Sequence, residues 1–168
     1  ALTIEASPYG KALRSTPNQS ATALYQRVRL AGAALQCVRW SWKVDVIHSS
    51  ADIRDLERED FAAKVMFVFG EPSLFYKNIP TLAYVWTSTP IADGTLIQSK
   101  RFSSLFYIQL HGAPSVGQWQ QEKRDVAEDY RRIFHQEPGD VTYIAIFNDN
   151  DQTWDPASAV FGPITSHH

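Results

Sequence analysis

The sequence predicts an all-β fold, an antiparallel β-sandwich with one amphipathic helix. Three observations carry this. Ten short runs are alternating, β-branched or aromatic; turn residues punctuate them; and a single stretch, about 125–135, has its apolar residues at helical spacing. Many short strands with frequent turns fit two packed sheets better than alternating β-α units.

The strand runs fall at about 2–6, 10–15, 21–30, 36–47, 62–70, 80–88, 95–98, 104–111, 141–149 and 158–165. Between them lie Pro8-Tyr9-Gly10, Pro17-Asn18, Gly70-Glu71-Pro72, Asp93-Gly94, Gly112-Ala113-Pro114 and Pro138-Gly139-Asp140, residues that preset or permit tight turns. In the helical stretch Val126, Tyr130, Ile133 and Phe134 share one face. Asp125 is placed to cap it, Glu128 follows three residues later as in a capping box, and Pro138 stands just beyond its end. The run 51–60, ADIRDLERED, reads as a helical or loop insertion.

Length and composition narrow the rest. At 168 residues the chain fits one domain, 1–166, able to bury roughly two thirds of its unfolded surface. His167 and His168 read as the remnant of a tag. Sixteen basic and eighteen acidic residues leave a formal charge of −2 with no block of like charge, against a nucleic-acid footprint or a polybasic membrane patch. Cys37, the one cysteine, excludes an internal disulfide and a cysteine metal cluster; inside LQCVRWSW it reads as a buried, inert thiol. No run approaches the roughly 18 apolar residues of a membrane span. The chain opens on a strand-like ALTIEAS without an initiator Met, so a removed signal peptide fits.

Strand parity points to a site. In 36–47, Val38, Trp40, Trp42 and Val44 share one face and Arg39, Ser41, Lys43 and Asp45 the other. Likewise Phe106, Ile108 and Leu110 oppose Tyr107, Gln109 and His111, and Ile144 and Ile146 oppose Tyr143, Phe147 and Asp149. Ala83 and Val85 oppose Tyr84 and Trp86; Val65, Phe67 and Phe69 oppose Lys64, with Asp60 just before the strand. If the second faces share one sheet, Tyr84, Trp86, Tyr107 and Tyr143 form a ring-lined surface among Arg39, Lys43, Lys64, Gln109 and His111. Flat rings beside charged and planar donors suit a sugar, whose ring has an apolar C–H face and a rim of hydroxyls. The competing reading is that the helix and long loops cover this face as a second small core.

The stretch YIAIFNDNDQTWD, 143–155, runs from a strand into a cluster of oxygens. Parity brings Asp149 to the rim of the aromatic face, with Asp151 following as the chain turns and Trp154 folding over the opening. The acids would meet Arg39, Lys43, Lys64 or ligand hydroxyls. A Ca²⁺ held by Asp149 and Asp151 ranks second, and a solvated turn third. The histidines His48, His111 and His135 are scattered without zinc spacing, and no nucleophile elbow, Walker loop or dinucleotide fingerprint occurs. Gln109 and His111 together suit a polysaccharide lyase. A hydrolase would draw two carboxyls from Asp60, Glu122, Asp149 and Asp151.

Six blocks occur in order: VRWSWKVD (38–45), EDFAAKVMFVFG (59–70), LAYVWTS (82–88), GQWQQEKRDVAEDYRRIF (117–134), IAIFNDNDQT (144–153) and FGPI (161–164). The series resembles an uncharacterised bacterial family known as domain of unknown function 3047. The resemblance implies a periplasmic or secreted β-sandwich of jelly-roll type, similar to carbohydrate-binding modules, and no activity. The family pattern has two acids before the alanine pair and Arg after it; here Glu59-Asp60 and Lys64 stand there. Its DTDNT appears as Asp149-Asn150-Asp151-Gln152-Thr153, and its YGDI as Phe161-Gly162-Pro163-Ile164, which loses an acid. The resemblance also singles out Trp119, Glu122 and Arg124, as a site or as a fixed structural network.

The expected role is therefore binding of a glycan or small polar ligand, in an extracytoplasmic setting, without a required cofactor. A lyase or hydrolase using the same cleft, and a structural or protein-interaction domain of the cell envelope, are the alternatives.

Overall fold

The computed structural model describes residues 1–71 and 78–166. Pro72 of the expected 70–72 turn and the His167-His168 remnant lie outside the described residues. The chain folds as an all-β sandwich of jelly-roll type with one α-helix. One sheet holds β1 (Leu2–Ser7), β2 (Gly10–Ser15), β11 (Ser158–Phe161), β4 (Val38–Val46) and β12 (Thr165–Ser166) in that order, with β9 (Gln120–Arg124) also pairing β4. The other runs β3 (Ala21–Leu30), β10 (Val141–Asp149), β5 (Ala63–Phe69), β6 (Thr81–Trp86), β8 (Leu105–His111) and β7 (Thr95–Gln98). Among the described residues all pairings are antiparallel except β6 with β8, which run parallel because β7 intervenes in sequence but pairs on the far side of β8.

The helix α1, Val126–Phe134, starts as its sequence requires. Asp125 accepts from the Glu128 amide at 2.9 Å, and the chain stops at His135 in the left-handed conformation (φ 57°). Glu128 does not close the capping box; its carboxylate instead meets Arg131 and Arg132. Residues 51–60 form a loop with one 3-10 turn at Leu56–Arg58. Pro163 divides the expected 158–165 strand in two, and a further strand, QQEKR at 120–124, forms despite having no apolar residue. Cys37 is half-buried, just before β4, rather than in the core. Among the described residues no helix is long and apolar enough to cross a membrane.

The main core lies between the sheets and is built on rings. Trp40 and Trp42 meet edge-on at 5.7 Å, Trp42 meets Trp86 at 5.8 Å, and Tyr84 lies 5.3 Å from Trp40 and 5.8 Å from Phe67. Val38, Val65, Phe67 and Ile108 complete it, while Ile144 and Ile146 pack at its margin. On β6 the parity expectation is inverted: Leu82, Tyr84 and Trp86 point inward, while Ala83 and Val85 point out. Two sheets packed about 10 Å apart leave a gap that large rings fill and alanine cannot. Outside the second sheet, Ile53 and Phe61 of the 51–61 segment cover Ala83, Val85 and Tyr107 as a small second core. The loop does this covering; the helix packs instead at the end of the main core through Val126, Ala127 and Tyr130.

Candidate functional site

Where the 51–61 cover ends, the outer face of the second sheet opens into a cleft of about 240 Å³. Register explains its floor. Lys64 of β5 lies opposite Phe147 of β10 on one side and Val85 of β6 on the other, so its side chain leaves the sheet outward. Three rings surround its ammonium group, with Nζ 4.1 Å from the centroid of Phe61, 4.0 Å from Phe147 and 5.8 Å from Tyr107. Although 7 % exposed, Lys64 has no carboxylate within 4.0 Å and no hydrogen bond among the described residues. Burial pushes its amine down to about 8, against the pull of Asp149 and Glu59.

Acids ring the lysine. Asp149, the last residue of β10, exchanges bonds with Phe61: its Oδ1 accepts from the Phe61 amide at 2.7 Å and its own amide donates to the Phe61 carbonyl at 3.2 Å. The imidazole Nε2 of His48 meets the Asp149 carbonyl oxygen at 2.6 Å. Burial raises the Asp149 carboxyl to about 8; the Phe61 amide and Lys64 oppose the shift, while Asp60 and Asp151 add to it. Glu59, 6 % exposed, accepts from Arg101 Nε at 2.9 Å through Oε1, and its buried Oε2 has no partner. Burial also raises the Tyr107 hydroxyl. Asp151 and Gln152 stand at the rim with Phe102, which is 58 % exposed.

Asp60, Asp149 and Asp151 bring carboxylate oxygens within 4.8 Å of one another, close enough for one cation. The donor count argues against a ready site. Both oxygens of Asp60 are already used: Oδ1 accepts from Gln152 N at 3.2 Å, and Oδ2 from Thr153 N and Oγ1, each at 2.7 Å. Asp149 has one oxygen committed to Phe61, and Lys64 already supplies positive charge beside it. A hard divalent ion wants six to eight oxygens, and this cluster has few to spare.

Of the residues expected at the site, the structure brings together Asp60, Lys64, Tyr107, Asp149 and Asp151. It disperses the others. Arg39, Lys43 and Trp119 lie on the outer face of the first sheet, where Lys43 sits 3.3 Å from Asp45 and 5.6 Å from the Trp119 ring, so none is a partner of Asp149. Tyr84 and Trp86 are core. The Tyr84 hydroxyl donates to Asp129 at 2.5 Å, and Arg124 grips the same carboxylate at 2.9 Å. Glu122 accepts from Trp42 Nε1 at 3.0 Å and meets His111 at 2.8 Å, fixing β9 to β4 and β8. Gln109 is fully buried, bonded to the Thr87 hydroxyl and the Thr89 carbonyl, whereas the His111 ring packs tilted against Trp86 at 5.0 Å. The lyase-like pair therefore does not share a face, because a register shift at Val85/Trp86 turns the strand between them. Tyr143 lies near the opposite end of β10, bonded to Arg27. Trp154 does not close the opening; it is exposed in a turn at φ 62°.

The sequence reading misses Phe61, Arg101 and Phe102 as cleft residues, and gives Phe147 the right face without naming it at the site. For Arg101 and Phe102 the signal was the basic-aromatic turn Lys100-Arg101-Phe102, whose reach toward residue 59 only tertiary structure reveals.

The family model described as "Protein of unknown function (DUF3047)" matches residues 3–165. The chain belongs to this family. Two of the DUF3047-like blocks, 59–70 and 144–153, supply Glu59, Phe61, Lys64, Phe147, Asp149 and Asp151, and so converge on the cleft. No curated protein matches the chain. Among solved structures it is similar to a family 11 xylanase from Neocallimastix patriciarum, at 6 % identity over 99 % of this chain and 90 % of that one, with a TM-score of 0.47. A loop-swap mutant of Xyn11A from the same organism matches at 7 % identity, 99 % and 94 % coverage, and a TM-score of 0.38.

Proposed function

We propose that this DUF3047 protein binds a saccharide or similar polyol in the Lys64–Asp149 cleft. One observation carries the reading: buried charged groups face an open cleft with hydrogen-bonding capacity unspent. Glu59 Oε2 lacks a donor, and the Lys64 ammonium lacks an acceptor among the described residues. Groups so placed are costly unless something fills the cleft and bonds them. Hydroxyls both donate and accept, so one polyol can meet the carboxylates and the amine together. Phe102 at the rim offers a ring for the apolar face of a sugar.

The test is a glycan array of neutral and acidic oligosaccharides, followed by calorimetry on any hit. Phe102→Ala, an exposed change, should weaken binding about fivefold, from ~1 kcal/mol of lost ring contact. Asp151→Asn should weaken it while leaving Tm unchanged. Absence of any hit, or hits indifferent to both variants, refutes the reading.

A second reading, hydrolysis in the same cleft, draws on the Asp149 carboxyl. Burial raises it and favours its neutral form, while Asp151 beside it is exposed, a contrast of environments that suits an acid and an ionised partner. Release of reducing ends from a bound oligosaccharide, abolished in Asp149→Asn, would favour it over simple binding. Unchanged oligosaccharide would exclude it.

A further inference from the structure

The two sheets do not meet along their whole width. β1 is one edge of the first sheet and β3 one edge of the second, and between them the sandwich gapes. Register says which side chains face into the gap. Ile4 pairs with Leu13, Leu13 with Phe161, and Phe161 with Trp42, so all four lie on the inner face of their sheet. Across the gap, Leu24 and Gln26 pair with Ile146 and Ile144. Inward apolar side chains of a sandwich ordinarily bury against the facing sheet. Here Ile4 is 74 % exposed and Leu24 43 %, and a cleft of about 620 Å³ separates them, walled deeper in by Val28, Leu30 and Ile164.

One charge lines this cleft. Lys11 precedes Leu13 by two residues on β2 and therefore faces the same way. It is exposed and has no ion-pair or hydrogen-bond partner among the described residues, and no carboxylate lines the wall. An apolar trough with one unpaired cation is complementary to a molecule with a long hydrocarbon part and one anionic end. A sugar would set most of its hydroxyls against isoleucine, leucine and valine, because besides Lys11 the lining offers only Tyr25, Gln26, Thr165 and Ser166 as polar side chains.

We propose that the gap between the sheets is a binding site for a long-chain carboxylic acid, with the acyl chain lying between β1–β2 and β3–β10 and the carboxylate at Lys11. The volume is that of a small-molecule pocket, commonly about 300–1,000 Å³. The site is separate from the polyol cleft: it opens between the sheets, whereas that cleft lies on the outer surface of the second sheet.

Calorimetric titration with octanoate, decanoate and laurate tests this. One saturable site is expected, with affinity rising roughly fourfold per added methylene. Lys11→Glu, at an exposed position, should weaken laurate about tenfold, the scale of one charge-assisted hydrogen bond, and leave dodecanol unchanged. Leu24→Trp, on an edge strand, should fill the cleft and abolish both. If that variant does not fold, the Lys11→Glu contrast between laurate and dodecanol still decides. No saturable binding, affinity independent of chain length, or no effect of Lys11→Glu would overturn the proposal. So would sedimentation showing that two copies close this edge on each other and exclude laurate.

Discussion

Replacing Lys64 by Met separates the stability of the fold from the use of the cleft. The amine sits among Phe61, Phe147 and Tyr107 and is lowered from its ordinary 10.5 to about 8. At about 1.4 kcal/mol per pH unit, that corresponds to about 3 kcal/mol of native-state penalty on the charged form. The penalty is fully present below pH 8, where folded and unfolded chains both hold the proton. It fades between pH 8 and 10.5, where the unfolded chain alone still binds it, and is gone above. Methionine keeps the shape and adds polarisable contacts with the rings. The usual cost of such a change, a stranded partner, is small here: no carboxylate lies within 4.0 Å among the described residues, and burial raises the Asp149 carboxyl toward its neutral form. Lys64→Met should therefore stabilise the protein by on the order of 1–3 kcal/mol at pH 7, and by much less at pH 10.5. Urea unfolding at the two pH values measures both. Saccharide binding should be lost in the same variant, the trade between stability and function expected of a binding group. Destabilisation by more than about 1 kcal/mol at pH 7 would show that the amine holds the loop acids in place, and the reasoning fails.

Trp42→Ala, at the centre of the ring core, should cost about 3–5 kcal/mol by urea unfolding; a smaller loss would mean that the sheets can close over the hole. Asp125→Ala removes the bond to the Glu128 amide and should cost about 1 kcal/mol, read as a lower Tm with an unchanged strand signal in circular dichroism. Trp154→Gly should stabilise by about 1 kcal/mol, since a side chain at φ 62° is strained and this one is mostly exposed. Ca²⁺ and a chelator should leave Tm unchanged; a Ca²⁺-dependent rise lost in Asp151→Asn would show that the donor count misjudged the acid cluster.

Periodicity made most of the fold legible. Alternation placed Trp40, Trp42, Val65, Phe67 and Ile108 in the core, and the capped stretch at 125 gave the helix to within a residue or two. Two things were hidden. β9, QQEKR, shows no apolar residue because its inward position, Glu122, answers the indole of Trp42 and the imidazole of His111. On β6, hydrophobicity alone cannot choose between Ala83-Val85 and Tyr84-Trp86, since both sides are buried, one by the facing sheet and one by Ile53 and Phe61. At the site, Lys64, Tyr107 and Asp149 were found by strand parity, and Asp60 and Asp151 because they flank those strands near one rim. Arg101 and Phe102 were not, because a loop brings them there.

The remaining polar residues of the DUF3047 blocks divide by whether their bonds are spent. At the helix end, Asp129 takes donors from Tyr84 and Arg124, and Glu122 joins Trp42 to His111. These networks tie the two sheets together and fix β9 and α1 against the core, with both oxygens of Asp129 bonded to Arg124. Asp60 belongs with them, since both its oxygens hold the 152–153 turn. Lys64, Glu59 and Asp151 differ. Each keeps a donor or acceptor without a partner among the described residues, and all three line the same open cleft. A structural role would have consumed that capacity, as it did at Asp129. Leaving it open at a solvent-reachable place, with two of the charged groups nearly buried, makes sense when the last partners come from outside the chain.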